Sequence, residues 1–159
     1  MAGEGTLDVG VEALRRRLSE HKLVFLDTMV FVYLLEHNPV YLALTRDVLG
    51  SIEAGRLEAL TSALTLAEVL NGPVQAQNIE AARDYELYLT NFPHLKIMGV
   101  EPRHASTIAK VRAMTGLRTP DAVQIALAQI EGVDAIIGND KAWAGKTGLI
   151  EYLLLDSFR

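Results

Sequence analysis

The chain contains no cysteine. That excludes disulfides, thiolate zinc sites and cysteine nucleophiles together, and it suits a reducing compartment such as the cytoplasm. Positive charge is in the minority: 15 Lys and Arg against 20 Asp and Glu leave a formal net charge of −5, so no global basic field advertises a nucleic-acid partner. Long charge-free apolar runs are missing as well. The best candidate, Leu23 to Leu35, is interrupted by Asp27, and the segment before it, MAGEGTLDVGVEALRRRLSEHK, carries acids ahead of its arginines. Neither a membrane span nor a secretory signal is expected. Repeats, low-complexity tracts and Pro/Gly/Ser linkers are absent too, which argues for a single unit. Trp143 and the tyrosines are scattered, so they read as packing or interface residues rather than a base-stacking platform. His21, His37, His94 and His104 lack the spacing of a histidine metal site.

What remains is an ordinary globular composition. Half of the 159 residues are apolar and 22% are charged, enough to build the core of one domain. Short apolar runs alternate with longer helical patterns. KLVFLD (22–27) reads as a buried strand, and MVFVYLLE as a helix stopped near Asn38 and Pro39. VYLALTRDVLGSIEAG places Leu44, Val48, Leu49 and Ile52 at amphipathic helical spacing. RLEALTS is a second strand, followed by a helix over SALTLAEVLNG that Gly72 and Pro73 are expected to end. PVQAQNIEAARDYELYLTNF then reads as one long helix opened by its proline. LKIMGV is a third strand; PRHASTIAKVRAMTG and TPDAVQIALAQIEG are two helices split at Gly116; DAIIG and IEYLLLD are the fourth and fifth strands. This alternation predicts a mostly parallel α/β sheet covered by helices. Residues 1–21 are an extension, helical through VEALRRRLSEH, ahead of a domain spanning 22–159.

In such sheets the ligand crevice lies beyond the carboxyl ends of the strands. Four acids fall there. Asp27 closes the first strand, Glu68 lies on the helix after the second, Asp121 is in the first turn of the helix feeding the fourth, and Asp140 follows the fourth. Each has an ordinary explanation. Asp27 could cap the next helix, and Glu68 could be a solvated helix residue. Asp121, behind Thr119 as cap and Pro120, is what a helix dipole favours, and Asp140 suits a turn. Converging on one edge, however, four carboxylates repel one another, and a divalent cation that prefers oxygen ligands is the evident compensation. Such a site would itself hold part of the negative charge, and local basic residues could still contact phosphates.

VFLDTMVFVYLLE, TSALTLAEVL, GLRTPDAVQIALA and AIIGNDKAW, in this order and spacing, resemble the motifs of PIN-domain nucleases, most closely the VapC-like toxin branch. The resemblance covers about residues 22–156. It implies a five-stranded parallel sheet of order 3-2-1-4-5, with Asp27, Glu68, Asp121 and Asp140 on the family's acidic positions. It further implies a ribonuclease dependent on Mg²⁺ or Mn²⁺, with Asp27 and Asp121 as direct ligands. Glu68 and Asp140 would act through coordinated waters or complete a second metal position. Thr28 and Thr119 are candidates to orient the carboxylates, helix capping being their ordinary alternative. Arg118 and Lys141 are candidate phosphate contacts, solvated surface charge being theirs. An RNA substrate, an antitoxin partner reaching the acidic site and a homodimer are the partners implied.

Three features depart from the family pattern. Gly138 stands where a hydroxyl residue often precedes the Asn-Asp pair, and its presence could loosen the surroundings of Asp140. The extension delays the first strand, and the chain is acidic overall. Two other enzyme or signalling classes fit worse. A haloacid-dehalogenase phosphatase requires an aspartate where Met29 stands, and a receiver domain requires one ending the third strand, where the chain has Val100-Glu101-Pro102. The substantive rival is a PIN fold with weak or no catalysis, retained as a protein- or RNA-binding module.

Overall fold

The computed structural model describes residues 4–159, with side chains from Val9 onward; the first three residues of the expected extension lie outside it. Five strands, β1 (Leu23–Leu26), β2 (Glu58–Ser62), β3 (Leu95–Met98), β4 (Ala135–Gly138) and β5 (Glu151–Leu154), form one sheet of order β3-β2-β1-β4-β5. Every pairing is parallel. β1 is central, with Val24 opposite both Ala59 and Ala135. Alternate residues of the strands enter two separate cores. Val24, Leu26, Ala59, Ala135, Ile137 and Leu153 face one, while Phe25, Leu60 and Ile136 face the other. In the three central strands, β1, β2 and β4, burial on both faces is why they read as apolar runs rather than as alternation.

Helices α1 (Glu4–Leu18), α2 (Thr28–Leu35), α3 (Leu42–Glu53), α4 (Ala63–Gln75) and α5 (Ile79–Thr90) contribute to the first core through Leu14, Phe31, Ile52, Val69 and Leu89 among others. α6 (Ala105–Thr115) and α7 (Thr119–Ile130) cover the second face, where Val111, Ile125 and Leu127 pack with Trp143. Gly116, at φ 69°, ends α6 in the left-handed conformation that glycine adopts without penalty. α1 is fastened to the body at several points. Arg15 reaches Asp47 at 2.5 Å, Arg17 pairs with Glu151, and a Cβ added at Gly10 would meet the Phe158 carbonyl oxygen. Two of the three consecutive arginines therefore have acidic partners.

One helix boundary differs from expectation. α4 does not stop at Gly72 and Pro73 but runs through both to Gln75. Pro73 lies inside the helix near its end, where it lacks the N–H that would bond Val69 O and its ring crowds that carbonyl, a cost the rest of the helix carries. Bonds from Ala76 N–H to Gly72 O (3.0 Å) and from Asn78 N–H to Pro73 O (2.9 Å) then finish the helix. The break comes at Gln77, which takes φ 57°, and at Asn78, whose side chain accepts from Ala81 N–H at 3.0 Å to open α5. The expected single helix from Pro73 is thus two pieces.

Candidate active site

The carboxyl ends of β1, β2 and β4 meet the first turns of α2, α4 and α7, and the four acids are placed on this edge. Asp27 leaves β1 with its N–H still in the sheet, donating to Ile137 O at 2.9 Å. It occupies the N-cap position of α2 but makes no capping hydrogen bond with its side chain. Capping is therefore not what holds it. The residue is only 8% exposed, and no Lys, Arg or His pairs with it among the described residues. Burial pushes its carboxyl up to about 7, and the nearby charges of Glu68 and Asp121 push the same way; the Thr28 amide and the Gln124 side chain oppose them.

Glu68, on α4, is exposed, and its Oε2 accepts from Thr28 Oγ1 at 2.5 Å. Asp121 is the third residue of α7, where an acid favours the helix dipole, and the Arg118 guanidinium lies 3.5 Å from it. Asp140 follows β4, and its Oδ1 accepts from Ala142 N–H at 2.9 Å, the turn role expected of it on ordinary grounds. Glu68 and Asp121 are thus near enough to Asp27 to raise its cost of ionisation, while the Asp140 carboxylate turns toward its own loop. Among the described residues no three Asp, Glu or His side chains stand ready to hold an ion between them. The donor set nevertheless has the chemistry of a cation site: a buried carboxylate, two further carboxylates beside it, and no buried positive charge to balance them.

The accessory residues sort differently from one another. Thr28 is buried and bonded to Glu68, an orienting contact. Thr119 is exposed and stands at the first helical position of α7. Arg118 takes the N-cap place with extended backbone (φ −65°, ψ 157°), and no side chain caps this helix end, so the expected Thr119 cap is not made. The helix instead opens one residue earlier, with Ala122 N–H donating to Arg118 O at 3.0 Å. Lys141 lies 3.3 Å from Asp156, so both candidate phosphate contacts, Arg118 and Lys141, already touch acids.

Gly138 has a specific use. A Cβ there would come within 3.1 Å of the Tyr152 hydroxyl and 3.2 Å of Asp27 Cβ. That hydroxyl accepts from Asp140 N–H at 3.1 Å and donates to Asp140 O at 2.8 Å. The surroundings of Asp140 are therefore held by a hydroxyl from β5, not loosened by the glycine.

Gln124 is the site residue that sequence reasoning missed. It is 3% exposed in α7, flanked by buried Ala122, Val123, Ile125 and Ala126. Its Nε2 lies 2.6 Å from Thr65 Oγ1 and 3.4 Å from Asp27 Oδ1, and its Oε1 accepts from Ser62 Oγ. A polar residue three positions after Asp121, within a run of small apolar ones, was the available signal.

With the parallel order 3-2-1-4-5 and carboxylates at the strand ends established, relatives can be compared. A family model described as PIN domain matches residues 24–148, and the chain belongs to the PIN-domain family. Members of that family are generally nucleases. No curated protein matches the sequence. Among solved structures, a toxin-antitoxin complex from Klebsiella pneumoniae contains a chain with TM-score 0.61 and 19% identity, over 83% of this chain and 97% of that one. The VapBC2 complex of Rickettsia felis bound to a DNA fragment from its promoter gives TM-score 0.65 and 14% identity, over 82% and 96%. A Pyrobaculum aerophilum protein gives 0.56 and 17%, over 86% and 89%. At these identities the likeness is one of fold.

Proposed function

We propose that the protein is a metal-dependent endoribonuclease of the VapC-like kind, the toxin of a cytoplasmic toxin–antitoxin pair. The observation that carries this reading is Asp27: a buried carboxylate with no positive partner, pushed up to about 7 and crowded by Glu68 and Asp121 at the ligand-binding edge of a PIN fold. Asp27 and Asp121 are assigned as direct ligands of Mg²⁺ or Mn²⁺, with Glu68 and Asp140 acting through water or at a second position. A cation there supplies a polarised water for in-line attack and neutralises charge on the phosphate. Thr28 keeps Glu68 oriented, and Arg118 and Lys141 become phosphate contacts by exchanging their acidic partners for the substrate. The toxin–antitoxin assemblies among the fold's relatives support an antitoxin partner.

The test is cleavage of single-stranded and loop RNA by purified protein. Cleavage should need Mg²⁺ or Mn²⁺, stop in excess EDTA, and be abolished by Asp27→Asn and by Asp121→Asn with the circular dichroism spectrum intact. Full activity in EDTA, or in either variant, would defeat the proposal. A second reading, a PIN module that binds without cutting, draws on the open arrangement of the carboxylates and the Arg118–Asp121 pair. It predicts RNA or protein binding with no metal-dependent cleavage in the same assay.

A further inference from the structure

Beneath the carboxylates runs a chain of buried side chains that Ser62, Thr65, Gln124 and Thr28 form between them. Ser62, Thr65 and Thr28 come from different elements than Gln124, and all four are at most 6% exposed. The direction of each bond in it can be assigned. Ser62 Oγ accepts from Thr65 N–H at 3.4 Å while capping α4, so its own proton is free for Gln124 Oε1. That contact orients the carboxamide, sending Nε2 toward Asp27 Oδ1 (3.4 Å) and Thr65 Oγ1 (2.6 Å). Thr65 Oγ1 thereby accepts from the amide, and Thr28 Oγ1, 3.5 Å from it, gives its single proton to Glu68 Oε2 at 2.5 Å. Of the two branches leaving the Gln124 amide, one finishes on the Asp27 carboxylate and the other on that of Glu68.

The geometry points to Gln124 as the positioning residue of the site. One amide sets Asp27 directly and Glu68 through Thr65 and Thr28, so that two acids from different elements are presented together. Neither acid needs to find its orientation when a ligand arrives, because the orienting hydrogen bonds are already made, those of the Gln124 amide in the buried interior. This rests on the metal-site reading proposed above. Gln124 touches no substrate in this role; it acts through the carboxylates.

The test measures Mn²⁺ binding calorimetrically, on whole protein stripped with chelator, without any RNA. Gln124→Leu, which removes the amide, should weaken Mn²⁺ binding by about tenfold or more, the usual scale for loss of an orienting partner. Thr65→Val keeps the shape and removes the hydroxyl that joins the Gln124 amide to Thr28, leaving the contacts of Gln124 with Ser62 and Asp27. It should also weaken binding, whereas Thr65→Ser, which keeps the hydroxyl, should stay near wild type. Because Thr65→Val keeps the volume and loses the hydroxyl, whereas Thr65→Ser keeps the hydroxyl and loses a methyl, the pair decides the matter even if Gln124→Leu fails to fold. Wild-type affinity in Thr65→Val, or in folded Gln124→Leu, overturns the positioning role. Absence of Mn²⁺ binding by the wild type, or undiminished binding by Asp27→Asn, overturns instead the metal site itself and the inference with it.

Discussion

At the scale of single residues, Asp27 is where burial, charge and chemistry meet. Its folded-state carboxyl titrates at about 7, against about 3.9 for an aspartate in an unfolded chain. The folded protein therefore holds a proton that the unfolded chain has released, and linkage sets the sign. The contribution of Asp27 to stability is full below about pH 4, declines as pH rises toward 7, and is lost above it. Asp27→Asn keeps the shape and the Gln124 contact while removing the titration. In EDTA, wild type should lose stability relative to this variant across that window, by a few kcal/mol in order of magnitude. Denaturant unfolding at stepped pH measures the difference directly; two parallel curves would show that Asp27 ionises freely. The acid itself was legible in the sequence, since strand-end position and spacing announce it. Gln124 was not, because its partner Ser62 lies 62 positions away and its significance is tertiary. Nor was the reason for Gly138, which depends on a tyrosine arriving from β5.

At the scale of elements, the five strands and their neighbours were visible as apolar runs, and their buried lengths agree with the sheet. The α4–α5 junction was not. Gly72 and Pro73 look like punctuation, yet the helix runs through both, whereas the actual turn is made by a residue whose type does not favour it. Gln77 holds φ 57°, a conformation that disfavours any side chain with a Cβ and that a glycine adopts freely. Gln77→Gly should accordingly stabilise the protein by roughly 0.5–1 kcal/mol, the gain in the folded state being partly offset by the looser unfolded chain. A higher denaturant midpoint with unchanged slope is the expected record. A lower midpoint would mean that the Gln77 side chain contributes a contact worth more than the backbone strain.

On the scale of the whole molecule, the apolar residues of α2 and α4 mostly serve the core: Val30, Phe31 and Val69 are buried, and Tyr33, Leu34 and Leu66 pack against the same cluster. A homodimer, implied by the family resemblance, must then use other surface, and exposed Val74 and Ile79 beside the α4–α5 break are apolar side chains available for it. Light scattering at tens of micromolar should give twice the 17.4 kDa chain mass; a monomer mass would remove the dimer from the proposal. No helix among the described residues is long and apolar enough to cross a membrane.

The central place of β1 has a consequence for the protein while it is being made. Val24 and Leu26 must pair with Ala135 and Ile137, so the middle of the sheet joins segments 111 positions apart in the chain. At a ribosomal pace of about 5–20 residues per second, β1 is synthesised roughly 5–20 s before its β4 neighbour exists. Glu68 is made 41 residues after Asp27, Asp121 later still, and Asp140 only after β4 itself. A nascent chain therefore carries no assembled cluster of acids, and the edge is complete only once Asp140, in the last third of the chain, has been made.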